Sequence, residues 1–209
     1  MKRNSLAPIM GINRLRIGTD GKGITTLVAF YGCPLKCSYC LNPQCHRALS
    51  DVTYFRPDEV YDVVAKDELY YLNTGGGVTF GGGEPLLYPH FIGDVLNLGA
   101  KKWNVTIETS LNVPYNNIDY LLPFINEMIV DIKDIDPLIY ESYTQSSNAV
   151  VVENLKRLAI VGFVNHVVIR IPFIDGYNTL DDIYKSKHFI EDIGYSNFDI
   201  FQYKTRVKL

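Results

Sequence analysis

Cysteine is scarce in this chain of 209 residues, and its four cysteines all lie between positions 33 and 45. Such clustering excludes a disulfide framework spread over the fold and favours a metal site in a reducing compartment. No window approaches the roughly 18 uninterrupted apolar residues of a membrane span. The start of the chain, Met1-Lys2-Arg3-Asn4, lacks a following apolar segment, so no signal peptide is expected. We therefore expect a cytoplasmic protein with no membrane partner.

The chain also lacks an excess of basic residues. The formal net charge of −3 lacks the strongly positive footprint of a nucleic-acid-binding domain. The length fits one domain that is large enough to bury a sizeable core. We expect a lead-in over residues 1–23, a core domain over residues 24–209, a monomeric protein and no nucleic-acid partner.

Apolar runs alternate with helical patterns along the chain. Continuous β-branched runs predict strands buried on both faces, while proline and glycine mark where helices start and stop. The strands are predicted at 24–31, 77–80, 104–108, 127–132, 166–172 and 198–203, and the helices at 57–72, 89–99, 115–122, from 137 onward, 151–161 and 180–193. Six strand-then-helix steps favour a parallel sheet with right-handed crossovers. Because eight such steps close a full barrel, we expect an α/β fold with an open partial (β/α)6 barrel.

Polar groups stand at or just after the ends of the predicted strands. Parallel α/β sheets and barrels assemble their functional sites at that edge. Chance placement of so many polar groups at one edge is improbable, so the pattern predicts an enzyme. The groups are the cysteines, the glycine run 81–83 with Glu84, Glu108-Thr109-Ser110, Asp131-Ile132-Lys133, Arg170 and Gln202-Tyr203-Lys204.

Three closely spaced thiols, Cys33, Cys37 and Cys40, follow the first predicted strand. Soft thiolates are the ligands of iron–sulfur clusters, zinc and copper(I). Three cysteines can hold three irons of a four-iron cubane and leave the fourth iron open. Zinc, which usually takes four ligands in separated pairs, and unligated thiols remain alternatives. Cys45 is either a fourth ligand of a closed cluster or a free thiol packed as a small apolar group.

The spacing Cys-x3-Cys-x2-Cys, with the aromatic Tyr39 before the third cysteine, resembles the radical S-adenosylmethionine (SAM) superfamily. The resemblance implies a [4Fe-4S] cluster on Cys33, Cys37 and Cys40, with Tyr39 among the cofactor-binding residues. The open iron would bind the amino and carboxylate groups of SAM. One electron from the cluster would then break the sulfur–C5′ bond and release a 5′-deoxyadenosyl radical.

A glycine run, Gly81 to Gly83, precedes Glu84. Glycines let backbone approach a ligand closely, but no lysine follows as a phosphate-binding loop requires. Gly82, Gly83 and Glu84 match the Gly-Gly-Glu segment that contacts the methionine ammonium in the radical SAM family. The alternative for Glu84 is a solvated loop acid.

Further segments resemble the glycyl-radical-enzyme activases, the group typified by pyruvate formate-lyase activating enzyme. That resemblance implies that the chain installs a glycyl radical on a partner enzyme. It extends over nearly the whole chain, because the matching segments recur in order at matching intervals. They are Asp20–Ile24, Gly75–Leu86, Tyr143-Thr144 with Val152–Leu155, and Ile169–Asn178.

The same resemblance implies roles for five more residues. Lys133 would pair with the cofactor carboxylate, and Asp131 would help to hold a monovalent cation. Glu108 and Thr109 match an Asp-Thr pair, with glutamate one methylene longer at the cation site. Arg170 matches an arginine near the methionyl end of the cofactor. The alternative for the charged members is an ion-pair network without a ligand.

The number of cysteines limits how many iron–sulfur clusters the chain can hold. The auxiliary clusters of some relatives need several more cysteines, so one cluster is expected here, reduced by an external flavodoxin or ferredoxin. A second candidate is 7-carboxy-7-deazaguanine synthase, a small radical SAM enzyme that acts on a pterin and shares the Gly-Cys-Pro-Leu-Lys-Cys, Gly-Gly-Glu-Pro-Leu and Glu-Thr-Ser segments. A third is a non-catalytic electron carrier with Cys45 as the fourth ligand.

Overall fold

The computed structural model describes residues 5–100 and 102–203. The chain divides into two compact units: the first comprises Met1–Cys33, Gln44–Glu108 and Pro114–Met128, and the second comprises Pro34–Pro43, Thr109–Val113 and Ile129–Leu209. In chain order the strands and helices are β1 (Ala7–Ile17), β2 (Ile24–Phe30), β3 (Tyr54–Phe55), α1 (Pro57–Val64), α2 (Glu68–Thr74), β4 (Gly77–Gly82), α3 (Pro89–Asn97), β5 (Asn104–Thr109), α4 (Tyr115–Leu121), β6 (Glu127–Asp131), α5 (Pro137–Thr144), α6 (Ala149–Ile160), β7 (Val167–Phe173), α7 (Leu180–Ile193) and β8 (Phe198–Gln202).

The strands of the described residues are ordered β3-β1-β2-β4-β5-β6-β7-β8 in an open sheet. In the first unit β2 pairs in parallel with β4, and β4 with β5, whereas β1 runs antiparallel to β2 and β3. In the second unit β7 pairs in parallel with β8. The predicted α/β class, with an open, mostly parallel sheet of the partial-barrel kind, is confirmed.

The strands of the first unit form because apolar residues cover both faces of a parallel sheet. Val28 and Phe30 of β2, Phe80 of β4 and Ile107 of β5 are fully buried. The ring of Phe30 meets that of Phe91 edge-on, with 6.1 Å between centroids. This core fixes the points at which β2 and β4 end, and therefore where the thiol and glycine segments begin.

A turn that carries a buried carboxylate interrupts the helix that the sequence predicts over residues 57–72. A 3-10 turn at Ala65–Asp67 separates α1 from α2. The fully buried Asp67 accepts hydrogen bonds from Arg14 of β1 at 2.7 and 2.6 Å and from the Thr26 hydroxyl at 3.2 Å. The Arg14 guanidinium holds the pKa of the Asp67 carboxyl below its usual range. The turn therefore directs a carboxylate onto β1, which a continuous helix would not do.

In the second unit, α7 spans the predicted residues 180–193 because both ends carry capping signals. The Thr179 hydroxyl accepts from the Asp182 amide at 3.3 Å, and the Asp182 carboxylate accepts from the Thr179 amide at 2.9 Å. Gly194 ends the helix with a φ of +114°, a conformation that favours glycine. The fully buried apolar residues around α6, β7 and α7 are Leu155, Leu158, Ile169, Ile171 and Ile190.

All six predicted strands occur, but β1 and β3 were not predicted. The prediction also placed Arg170 at a strand end, whereas it lies three residues before the end of β7. The predicted boundary at residue 23, between a lead-in and a core domain, stays a prediction. Among the described residues, no helix has the length and apolar character to cross a bilayer.

Candidate functional site

The thiol segment begins in the first unit, directly after β2. Gly32 has a φ of +87°, which favours glycine and turns the chain away from the strand. Its amide donates to the Cys45 carbonyl at 2.8 Å, and its carbonyl accepts from the Glu84 amide at 2.7 Å. Cys33 is half-buried and Cys45 is buried. Gly32, the residue before Cys33, therefore has both its backbone amide and its carbonyl hydrogen-bonded within the first unit.

The glycine run lies against this peptide. The Gly83 amide donates to the Phe30 carbonyl at 3.0 Å. A Cβ at Gly83 would overlap the carbonyl oxygen of Gly32 and lie 2.9 Å from that of Phe30. Gly82 has a φ of +93°, and a Cβ there would lie 2.7 Å from the Cβ of Ala29. The first unit requires glycine at both positions to pack the run against the end of β2.

Glu84 is buried, with 1% of its surface exposed. Its side chain accepts a hydrogen bond from the Leu86 amide at 3.2 Å and so caps the 3-10 turn Pro85–Leu87. The alternative of a solvated loop acid is therefore wrong. The first unit therefore holds a buried carboxylate directly after its glycine run.

Glu108 is half-buried beside Gly81, and its Oε2 lies 3.0 Å from the position of a Cβ there. The pKa of Arg16 is raised by its hydrogen bond to Asp20 and also by the charge of Glu108. The predicted cation-site acid therefore has a guanidinium within electrostatic range in its own unit.

The remaining thiols belong to the second unit. Cys37 and Cys40 are both half-buried, and the Cys40 amide donates to the Cys37 carbonyl at 3.2 Å. The Lys36 amide donates to the Thr144 carbonyl at 2.8 Å, and the Ser38 amide to the Tyr143 carbonyl at 3.0 Å. None of the four cysteines forms a disulfide. The two thiols therefore flank a turn whose backbone is bonded to the end of α5.

Lys133 brings a positive charge to this thiol segment. Its Nζ lies 3.1 Å from Oδ2 of Asp131 and 5.8 Å from the centre of the Tyr203 ring. Burial lowers the pKa of the Lys133 ammonium, but the negative charges of Asp131 and Cys37 outweigh burial, and the pKa is raised. Burial raises the pKa of the Cys37 thiol, against the charge of Lys133. The structure thus brings together three predicted site residues: a thiol, an ammonium and a carboxylate.

Tyr39 lies in a group of tyrosines. Its ring meets that of Tyr177 edge-on at 5.7 Å and that of Tyr143 at 6.2 Å, and the Tyr203 hydroxyl donates to its carbonyl at 3.1 Å. The Tyr177 hydroxyl donates to Oγ of Ser38 at 2.7 Å. An aromatic wall therefore lines the segment between the two thiols.

Two predicted site residues make other contacts in the second unit. The Thr109 hydroxyl accepts from the Leu111 amide at 2.9 Å, which closes the turn after β5. Nε of Arg170 lies 3.4 Å from Oδ2 of Asp199 on β8. Lys204 lies outside the described residues.

Sequence reasoning missed the contacts of Tyr143, Tyr177, Tyr203 and Asn154. Asn154 donates to the carbonyls of Leu111 and Val113, at 2.8 Å each. Three of the four stand in segments noted for their resemblance to activases, but no role was attached to them. The signals that could have indicated these contacts were the polar Asn154 within the apolar pattern of α6 and the tyrosines that follow β7 and β8.

The donor set is compatible with an iron–sulfur cluster and SAM. Three half-buried thiols in one short segment are the ligand type of such clusters. A buried ammonium in the second unit suits a carboxylate, and a buried carboxylate in the first unit suits an ammonium. Together with the fold, these groups define an α/β protein whose strand ends carry thiols and paired charges.

The sequence model of the radical SAM superfamily matches residues 27–190. The chain therefore belongs to the radical SAM superfamily. It is an enzyme of a family that uses a [4Fe-4S] cluster and SAM, as predicted.

Two curated relatives show which group within the superfamily this chain resembles. The (2S)-3-sulfopropanediol dehydratase activating enzyme of Klebsiella oxytoca is 28% identical over 231 residues, which cover 81% of this chain and 72% of the relative. The pyruvate formate-lyase-activating enzyme of Clostridium pasteurianum is 32% identical over 153 residues, which cover 72% of this chain and 64% of the relative. Both are activating enzymes, so the predicted resemblance to that group is confirmed.

A solved structure agrees with these relatives. A domain of the pyruvate-formate lyase-activating enzyme from Bacteroides vulgatus is 28% identical, with a TM-score of 0.55 over 64% of this chain and 86% of that domain. The comparisons therefore favour an activase over the deazaguanine synthase and the electron carrier.

Proposed function

We propose that this enzyme is an activase that uses SAM to install a glycyl radical on a partner enzyme. Cys33, Cys37 and Cys40 would hold a [4Fe-4S] cluster through three of its irons, leaving the fourth iron for SAM. The observation that supports this most directly is the buried Lys133 ammonium, which is paired with Asp131 and lies within electrostatic range of Cys37. A thiol ligand and a carboxylate-binding cation are needed side by side in such a site.

The second unit would supply contacts to the carboxylate and adenosyl parts of the cofactor. Lys133 binds the carboxylate, and Asp131 keeps the ammonium oriented while offering an oxygen to a monovalent cation. Thr109 supplies a second oxygen close to that cation. Tyr39 offers an aromatic face at the thiol segment, and Arg170 lies toward the methionyl end, balanced by Asp199 on the next strand.

The first unit would supply contacts to the ammonium of the cofactor. Gly82 and Gly83 expose backbone without side chains, and the buried carboxylate of Glu84 accepts from the ammonium. Glu108 would offer a carboxylate oxygen to a cation, and the guanidinium of Arg16 would limit how much negative charge accumulates around that carboxylate.

When bound, the cluster and SAM supply one-electron chemistry that removes a hydrogen atom from a glycine of the partner. The protein's residues orient the cofactor and exclude water from it. Flavodoxin or ferredoxin is the proposed electron donor, and the substrate is a glycyl radical enzyme such as a dehydratase, decarboxylase or lyase. The enzyme would act as a monomer in the cytoplasm.

The test begins with anaerobic reconstitution using iron and sulfide. Reduced enzyme is given SAM, and 5′-deoxyadenosine and methionine are measured, followed by glycyl radical formation on candidate partners by electron paramagnetic resonance (EPR). Cys37→Ala is expected to lose the cluster, whereas Cys45→Ala is expected to keep it. If Cys45→Ala loses the cluster and Cys37→Ala does not, the ligand assignment is wrong.

Lys133→Met tests the cofactor contact separately from the cluster. Loss of a buried charge partner costs about 2–5 kcal/mol in a binding interaction, so SAM binding should weaken at least about thirtyfold while iron content is retained. Lys22→Met is the matched control, because this lysine is exposed and lies 3.8 Å from Glu127. Bound zinc in the purified protein, or a reduced cluster whose spectrum SAM leaves unchanged, would refute the proposed function.

A further inference from the structure

The segment from Lys36 to Cys40 contains the two thiols of the second unit, and it is held from three sides. The contacts come from the end of α5, from the loop after β7 and from the residue after β8. We call the contacting residues Tyr143, Thr144, Tyr177 and Tyr203 the thiol-loop clamp.

The α5 part of the clamp acts through the backbone. The carbonyls of Tyr143 and Thr144, in the last turn of α5, accept from the amides of Ser38 and Lys36. Carbonyls in the last turn of a helix have no partner inside the helix and remain available for such bonds. Because these two bonds use the backbone amides of Lys36 and Ser38, they do not depend on which side chains the thiol segment carries at positions 36 and 38.

The other two parts act through tyrosine hydroxyls. Tyr177 donates to the Ser38 hydroxyl at 2.7 Å, and Tyr203 donates to the Tyr39 carbonyl at 3.1 Å. Both bonded groups belong to the dipeptide between Cys37 and Cys40. The rings pack as well, with 5.0 Å between the centroids of Tyr143 and Tyr177.

These hydroxyl bonds are not needed to bury the rings. Tyr177 is half-buried and Ser38 is exposed, so phenylalanine at position 177 would keep the ring contacts while removing one bond. What the bonds do fix is the orientation of the peptides between the thiols. Groups outside the ligand set orient the ligands and tune the bound metal in this way.

We infer that Tyr177 and Tyr203 are positioning residues that hold the Ser38-Tyr39 dipeptide, and with it the thiols of Cys37 and Cys40, in the arrangement a cluster requires. The inference assumes the proposed cluster site. A segment held by these bonds would lose less conformational freedom when iron binds, which lowers the cost of ordering it on binding.

Amide hydrogen exchange tests the clamp in the protein without a cluster. Tyr177→Phe and Ser38→Ala should each speed exchange at the Ser38 amide about threefold to tenfold, the effect of one lost hydrogen bond. The double variant should match Ser38→Ala alone, because Ser38→Ala already removes the bond from Tyr177 together with the 3.4 Å bond from the Ser38 hydroxyl to the Tyr143 carbonyl. Tyr184→Phe is the control: this tyrosine of α7 is 59% exposed and should behave as wild type.

The reconstituted enzyme gives an independent readout. Tyr177→Phe and Tyr203→Phe should take up a full cluster but release iron to a chelator about threefold to tenfold faster, with altered EPR g values in the reduced state. A structural role confined to the fold would change thermal stability and leave the g values unchanged.

Three results overturn the clamp: exchange at Ser38 equal to wild type in Tyr177→Phe, additive effects in the double variant, or unchanged g values and iron release. Failure of the proposed function is a different result, since wild type would then hold zinc or a cluster whose spectrum does not change on addition of SAM. The exchange experiment would still decide whether the hydroxyls order the segment.

Discussion

Asn154 gives the sharpest test of how the second unit builds its site. This buried asparagine of α6 donates from one amide nitrogen to the carbonyls of Leu111 and Val113, both at 2.8 Å. Leu111 has a φ of +57°, unusual for a leucine, and it is fully buried. Asn154 therefore supports a strained turn that follows Thr109, a proposed site residue.

The cost of removing this amide follows from the two bonds. Asn154→Ala removes the asparagine donor from both carbonyls, although the Leu111 carbonyl keeps the Val113 amide at 2.9 Å. We therefore expect a loss of about 1–3 kcal/mol in the free energy of unfolding. Asn154→Asp has nearly the same shape but turns a carboxylate toward two carbonyl oxygens. We expect it to be the more destabilising of the two.

Urea unfolding followed by circular dichroism measures the loss, and Asn73 provides the matched control. Asn73 donates to the Leu69 carbonyl at 2.6 Å from an exposed position of α2, where water can replace the bond. Asn73→Ala and Asn73→Asp should therefore change stability little. If Asn154→Ala costs no more than Asn73→Ala, or if Asn154→Asp is the milder change, the buried-carbonyl argument is wrong.

Two further predictions concern the first unit. Asp67→Asn should lower stability at neutral pH, and the difference from wild type should shrink as the pH falls through the native pKa of Asp67, which Arg14 depresses. Asp58→Asn should show both effects only weakly, because solvent screens its exposed ion pair with Arg56. Urea unfolding at pH 7 and pH 3 checks this, and an equal loss at both would contradict it. Gly83→Ala should lower the melting temperature because its Cβ overlaps a backbone carbonyl, whereas Gly11→Ala meets nothing within 4 Å and should not; equal melting temperatures would refute the packing argument.

The parallel strands were predictable because burial on both faces produces continuous apolar runs. β2, from Ile24 to Phe30, is such a run. β1 was missed since it mixes exposed charges with apolar residues, and its pairing with β2 shifts register between Asn13 and Arg16. Arg14 of β1 also pairs with Asp67, which is far away in sequence, and no local pattern reveals that contact.

Candidate site residues could be predicted where a short motif marks them, but contacts that depend on how distant segments pack could not. Asp131 and Lys133 were singled out by an Asp-x-Lys motif after a strand, and the structure pairs their side chains with each other. Their roles at a cofactor stay a prediction. The hydroxyl of Tyr177 reaches Ser38 across 139 positions. Such a contact follows from how the second unit folds, so only the structure could supply it.

The glycine run shows how a motif can have two causes. Its glycines are required by packing alone, because a side chain at Gly83 would overlap the carbonyl of Gly32, whether or not a ligand binds. The run is therefore weak evidence for a cofactor by itself. Glu84 differs from the glycines, because the adjoining turn uses its buried carboxylate as a cap, a task that serine or asparagine also performs. The turn alone therefore does not require a glutamate, and this is the step at which packing and function separate.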